Sequence, residues 1–181
     1  GDNAILKMPA VWKILEDATA EAGQTYHSAV LGRPTVSVGT IRGGTGTNVV
    51  PDRCEIQVDR RLMPGETAAQ VLGDLRARLA AIPGGVEIGL LKEGLPFHTD
   101  AEAPLVRRFS AALAAAGVPP VREGAAWCSD AGPLAPVCGE TIVWGPGAIG
   151  QAHTVDEYIE ISSLAAGVEV LRRYLLDAAR G

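Results

Sequence analysis

Apolar residues recur along the chain with two periods, and the changes of period mark its elements. Ile5, Met8, Trp12 and Leu15 are spaced by helical steps, which predicts one apolar helix face. Pro9 either starts or kinks this helix, and Gly23 is a plausible stop. Ala29 to Pro34 reads as loop. Thr35 to Arg42 is β-branched and predicts a strand. Gly43-Gly44-Thr45-Gly46-Thr47 predicts a turn, and Asn48 to Arg61 a second strand. There Cys54, Ile56 and Val58 face one way, and Glu55, Gln57, Asp59 and Arg61 the other. An antiparallel hairpin follows. After Pro64-Gly65, Thr67 with Gln70 resembles a capping box. Val71, Leu72, Leu75, Leu79 and Ile82 then form a helical stripe that Pro83-Gly84-Gly85 ends. Val86, Ile88 and Leu90 alternate as a further strand. This first segment reads as an α+β sandwich, one sheet with helices on one face.

The style changes near Pro96. Leu105, Phe109 and Leu113 mark a third helix from Ala103, which Gly117 ends. Val121 to Ala126 and Thr141 to Trp144 are short apolar runs followed by turns, as in buried parallel strands. Ser162 or Ser163 caps a last helix bearing Leu164, Val168, Leu171 and Leu175. The organisation is a domain over 1–97 and an α/β segment over 98–181. So few strands make only part of a doubly wound sheet.

Composition narrows the class. The 181 residues are 47% hydrophobic and 20% charged, with a formal charge of −5. A disordered chain would be less apolar and more charged. The apolar runs are too short for a membrane span, and no signal peptide is visible. Mild acidity provides no field for nucleic acid or anionic lipid, so neither is expected as a partner. Cys54, Cys128 and Cys138 are too few for a disulfide framework and form no CxxC pair. Free thiols without an export signal predict a cytoplasmic protein.

Candidate chemistry is sparse. His27 and His98 read as surface histidines. His153 follows the run Thr141 to Trp144, in the region where ligands of α/β sheets bind. With Asp156 and Glu157 close behind, it is either a metal ligand or general base, or a plain loop histidine. Gly43 to Gly46 is no phosphate loop, since no Gly-Lys-Ser/Thr follows. Ser129 is not in a nucleophile elbow. Arg61, on the polar strand face, either makes a surface salt bridge or binds an anion through its planar fork.

Several segments in order resemble one family. These are Gly43-Gly44 with Asn48-Val49-Val50-Pro51-Asp52-Arg53-Cys54, then Asp59-Arg60-Arg61 with Pro64-Gly65-Glu66. Later come Cys128-Ser129-Asp130-Ala131, Gly145-Pro146-Gly147, and Gln151-Ala152-His153-Thr154-Val155-Asp156-Glu157-Tyr158. Together they resemble the M20 metallopeptidases, which include acetylornithine deacetylase, succinyl-diaminopimelate desuccinylase, aminoacylases and glutamate carboxypeptidases. The run from Gly145 to Tyr158 looks most like the acetylornithine deacetylase branch.

The resemblance implies a lid or dimerisation domain inserted in a catalytic domain, with this chain covering the lid and the returning C-terminal part. It implies a homodimer through the lid and two zinc ions in the intact enzyme, with cobalt or manganese as other options. The substrate implied is an N-acyl amino acid or peptide. By the same resemblance His153 matches a metal ligand. Asn48 and Arg61 match substrate-binding lid residues, Arg61 gripping the carboxylate and Asn48 polarising the scissile carbonyl. Ser129 and Gly147 lie where the family contacts substrate. The remaining metal ligands, the general base and the lid histidine lie upstream in the family. One histidine does not hold two metals, so the chain alone is expected to be inactive and to need an N-terminal half. The alternative is a non-catalytic dimerisation or scaffold module that has lost its metal site.

Overall fold

The computed structural model describes residues 1–180. They divide into two compact units: Gly1–Pro96 with Gly124–Cys128, and Phe97–Glu123 with the residues from Ser129 on.

The first unit opens on helix α1, Ala4–Thr25. Asn3 caps it, its side-chain oxygen accepting the N–H groups of Ile5 and Leu6 at 3.0 and 3.3 Å. Pro9 lies inside the helix rather than at its start. The line turned to the core is Met8, Val11, Leu15 and Ala18, while Ile5 and Trp12 are 39% and 42% exposed. The predicted face of Ile5, Met8, Trp12 and Leu15 is thus rotated. Both lines share Met8 and Leu15, and spacing alone does not choose between the neighbours on either side.

Strands β1, Thr35–Gly43, and β2, Cys54–Arg61, pair antiparallel, with Thr35 opposite Arg61 and Gly43 opposite Cys54. A bulge interrupts the register between Val38 and Thr40, leaving Gly39 unpaired. It keeps Val36, Val38 and Ile41 opposite Arg60, Val58 and Ile56, on one side of the hairpin. β2 begins at Cys54, not at Asn48. Residues 44–53 form a loop, and Asn48 sits in a turn within it. The loop is tied to α1 by the Ala4 N–H, which donates to the Pro51 carbonyl at 2.9 Å.

Helix α2, Ala68–Leu79, starts with the expected capping box of Thr67 and Gln70. Its Leu75 and Leu79, with Ile82, pack against Val11 and Leu15, and Val36, Ile56 and Val58 of the hairpin close the cluster. The expected strand at Val86, Ile88 and Leu90 does not form. Val86 and Ile88 do pack on the core, so their alternation records burial without pairing.

The second unit holds α3, Pro104–Ala115, a short α4, Ala131–Cys138, a 3-10 turn, Ile149–Gln151, and α5, Ile161–Ala178. Its core is Phe109, Leu113 and Val170. Trp144 and Tyr174 meet Phe109 edge-on, each with ring centroids 5.3 Å away. The expected strands at 121–126 and 141–144 are absent, and no doubly wound sheet occurs among the described residues, whose only named sheet is the hairpin. A strand needs a backbone partner. At Thr141 the Thr99 hydroxyl takes that place, accepting the Thr141 N–H at 3.1 Å. The N-cap position of α5 is Glu160, with no side-chain capping bond, rather than Ser162 or Ser163, and the helix buries Gly167 and Val170. The predicted stripe of Leu164, Val168, Leu171 and Leu175 is exposed, Val168 by 63%. The architecture is mixed helices with an antiparallel pair, an α+β fold. No helix among the described residues is long and apolar enough to cross a membrane.

Candidate functional site

Arg61 ends β2, and Asp59 lies two residues back on the same strand face. That spacing lets the carboxylate take the guanidinium side-on. Asp59 Oδ1 is 2.9 Å from Arg61 Nε, and Oδ2 accepts from Nη2 at 2.9 Å. The same fork donates through Nη1 to the Ala126 carbonyl at 3.0 Å, with Cys128 Sγ at 3.5 Å. The segment 124–128 that provides these contacts fits tightly. A side chain at Gly124 would place its first carbon 2.9 Å from the Val30 carbonyl oxygen.

Arg60 points to the opposite, apolar side of the hairpin, opposite Val36. A guanidinium there needs a partner, and Glu66 supplies it. Glu66 is the buried charged residue of the described chain, with 2% of its side chain exposed against 13% for Arg60. Glu66 Oε1 accepts from Arg60 Nη2 at 2.6 Å, and Oε2 accepts from the Met63 N–H at 2.7 Å. The Glu66 N–H donates to the Met63 carbonyl at 2.9 Å. Arg60 Nη1 also donates to the Arg61 carbonyl. The chain can turn back this sharply because Gly65 adopts φ +96°.

Asn48 lines an open cleft of about 430 Å³ with Asn3, Gly46, Thr47 and Val49 to Pro51. In the second unit, half-buried Ser129 accepts the Ala131 N–H through its hydroxyl at 3.3 Å, ahead of α4. Gly147 has φ +96°, and a side chain there would also meet Ile159 at 3.5 Å. His153 is exposed at φ +62°, unusual for a residue with a side chain. Its N–H donates to Glu157 Oε2 at 3.0 Å, closing the turn.

Asn48 and Arg61 belong to the first unit and Ser129, Gly147 and His153 to the second, and within neither unit does a hydrogen bond among the described residues join them. No group of three or more His, Cys, Asp or Glu there could hold a metal ion. A catalytic metal takes about three protein ligands, so these residues alone do not fit a metal centre. Sequence reasoning missed Glu66 and the 124–128 segment as partners of the Arg60-Arg61 pair. The signal for Asp59 was present in its strand spacing. For Ala126, 65 residues from Arg61, there was none.

Residues 1–87 match the peptidase dimerisation domain of the M20 family. The acetylornithine deacetylase of Aliivibrio fischeri is 30% identical over 97% of this chain and 47% of its own length. That of Vibrio atlanticus is 28% identical over 96% of this chain and 46% of its own. The chain thus spans about half the length of these relatives. Among solved structures, an M20 family metallo-carboxypeptidase from Sulfolobus solfataricus superposes with a TM-score of 0.68 at 20% identity, over 97% of this chain and 45% of that one. Aminopeptidase PepT from Bacillus cereus gives 0.63 at 22%, over 92% and 45%. Residues 1–87 thus carry the M20 peptidase dimerisation domain, and the chain is similar along almost its whole length to acetylornithine deacetylases.

Proposed function

We infer that this chain supplies the dimerisation lid, residues 1–97, and part of the catalytic domain, residues 98–181, of a hydrolase that cleaves the amide of an N-acyl amino acid. The observation that carries the reading is the alignment of 97% of the chain with acetylornithine deacetylase at 30% identity. The bond cleaved and the acid recognised belong to the whole enzyme. The residues here contribute binding and orientation. Arg61 is assigned the substrate carboxylate, which its planar fork suits. Asn48 is assigned the scissile carbonyl, and Ser129 and Gly147 substrate contacts. His153 is assigned as a metal ligand, with zinc as the metal and cobalt or manganese as substitutes. The remaining ligands come from outside this chain, so the chain by itself is inactive. The enzyme is a homodimer through the lid, and three free cysteines suit a cytoplasmic setting.

The lack of any metal-holding group among the described residues favours one other reading, a scaffold module without catalysis. Zinc titration of the complete protein separates the two. Within the hydrolase reading, Arg61→Ala in the complete enzyme should lower kcat/KM by about 10- to 150-fold, the worth of a charge-assisted hydrogen bond. Unchanged kcat/KM would remove the clamp role.

A further inference from the structure

We propose that Glu66, acting through Arg60, is a positioning residue for Arg61. The inference rests on the reading of Arg61 as a carboxylate clamp. Arg60 and Arg61 are adjacent on β2 and so project to opposite faces. Arg60 Nη1 holds the Arg61 carbonyl, and its Nη2 holds Glu66. Glu66 in turn fixes the backbone three residues before it, through the Met63 N–H and carbonyl. The peptide that carries Arg61 is therefore clamped from below, at the point where β2 ends and regular strand pairing stops.

A strand end without such a clamp frays, because its backbone has fewer partners. Above the sheet, Asp59 and the Ala126 carbonyl occupy part of the Arg61 fork. They set the direction of the side chain only if the backbone beneath it is fixed. One Nη2 hydrogen remains for an acid ligand. A buried ion pair seldom adds net stability over apolar residues of the same size. Its presence at this point fits a role in geometry.

Two variants test this. Glu66→Gln keeps the shape and removes the charge. The double change Arg60→Met with Glu66→Leu replaces the pair with apolar groups, and it serves if the single variant fails to fold. Two readouts are made on each. The first is the Arg61 Nε–H resonance in a nitrogen-15 spectrum, with Leu79 and Val11 methyl resonances as a check on the fold. The second, made on the complete enzyme, is the ratio of affinities for N-acetyl-L-alanine and its C-terminal amide, which differ only in the carboxylate.

In the unmodified chain the Nε–H signal should be dispersed and slow to exchange. In both variants it should collapse toward the free-arginine position with the methyl resonances unmoved, and the preference for the acid should fall about tenfold. An Arg61 signal and an acid preference unchanged in the folded variants would overturn the proposal. If the unmodified complete enzyme shows no acid preference, the clamp reading fails, and the Nε–H signal still decides whether Glu66 positions Arg61.

Discussion

Leu79 is 2% exposed and lies among Val11, Leu15, Leu75 and Ile82, where α1 meets α2. Leu79→Ala removes the equivalent of three methylenes, and at about 0.8 kcal/mol each the transfer contribution is about 2.4 kcal/mol. The surroundings collapse only in part, since a capped α2 and a paired hairpin hold the walls apart. The residual cavity brings the expected loss to about 3 kcal/mol, within the usual range of about 2–5 kcal/mol. Domains are stable by only about 5–15 kcal/mol, so this is a large share. It corresponds to a fall in Tm of roughly 12–24 °C for a unit near a hundred residues. Urea unfolding followed by far-ultraviolet circular dichroism reads the change directly. Leu91→Ala serves as the control, because Leu91 is 80% exposed, and it should move stability by no more than about 0.5 kcal/mol. If the two variants unfold alike, the α1–α2–hairpin cluster is not the core of the unit.

Two further outcomes are expected. Hydrogen bonds from Arg172, and also from Arg173, hold the Glu169 carboxyl down from its ordinary 4.5 to about 2. A lowered acid contributes its stabilisation in full above 4.5 and loses it as pH falls through about 2. A carbon-13 titration of Glu169 should therefore show a midpoint near 2, and one near 4.5 would mean that α5 carries no such pairing. Gly124→Ala sets a carbon 2.9 Å from the Val30 carbonyl oxygen, so that backbone has to shift. It should cost about 1–3 kcal/mol, seen as a lower urea midpoint, and an unchanged midpoint would show that segment 124–128 is not seated as described.

What was legible in the sequence was whatever depended on near neighbours. The Thr67–Gln70 box, the α2 stripe and α3 up to Gly117 are local, and the structure reproduces them. The hairpin was legible from alternation, although its second strand starts later than the pattern suggested. The runs at 86–90 and 141–144 failed for one reason. Alternation at Val86 and Ile88, and a short apolar run at 141–144 with Ile142 and Trp144 packed, are what a strand and a packed irregular segment share. α5 failed differently. Its apolar residues cover a wide arc, and the part packed with Phe109 is Val170 and Tyr174, while Gly167 lies against Pro146. α4 has no expectation behind it: it is short and holds Pro133 and Pro136, although Pro133 sits in the first turn, where no N–H is needed. At the site, the Asp59–Arg61 pair follows from strand geometry. Arg60 with Glu66 follows from no helix or strand period, only from the return of the chain at Gly65.

The bulge at Gly39 makes changes of length in the hairpin asymmetric. β1 holds one spare residue, so a single deletion there can be absorbed by dissolving the bulge, with Ile41 still opposite Ile56. A single insertion has no such slack and would turn Ile41 outward. The 44–53 loop has neither restriction, since surface loops accept added residues at little cost. Arg61 and Asp59 therefore stand where length is nearly frozen, and Asn48 stands where it is free. If both meet one substrate, recognition of its acid end is held fixed by the strand, while the shape admitted beside Asn48 is open to drift.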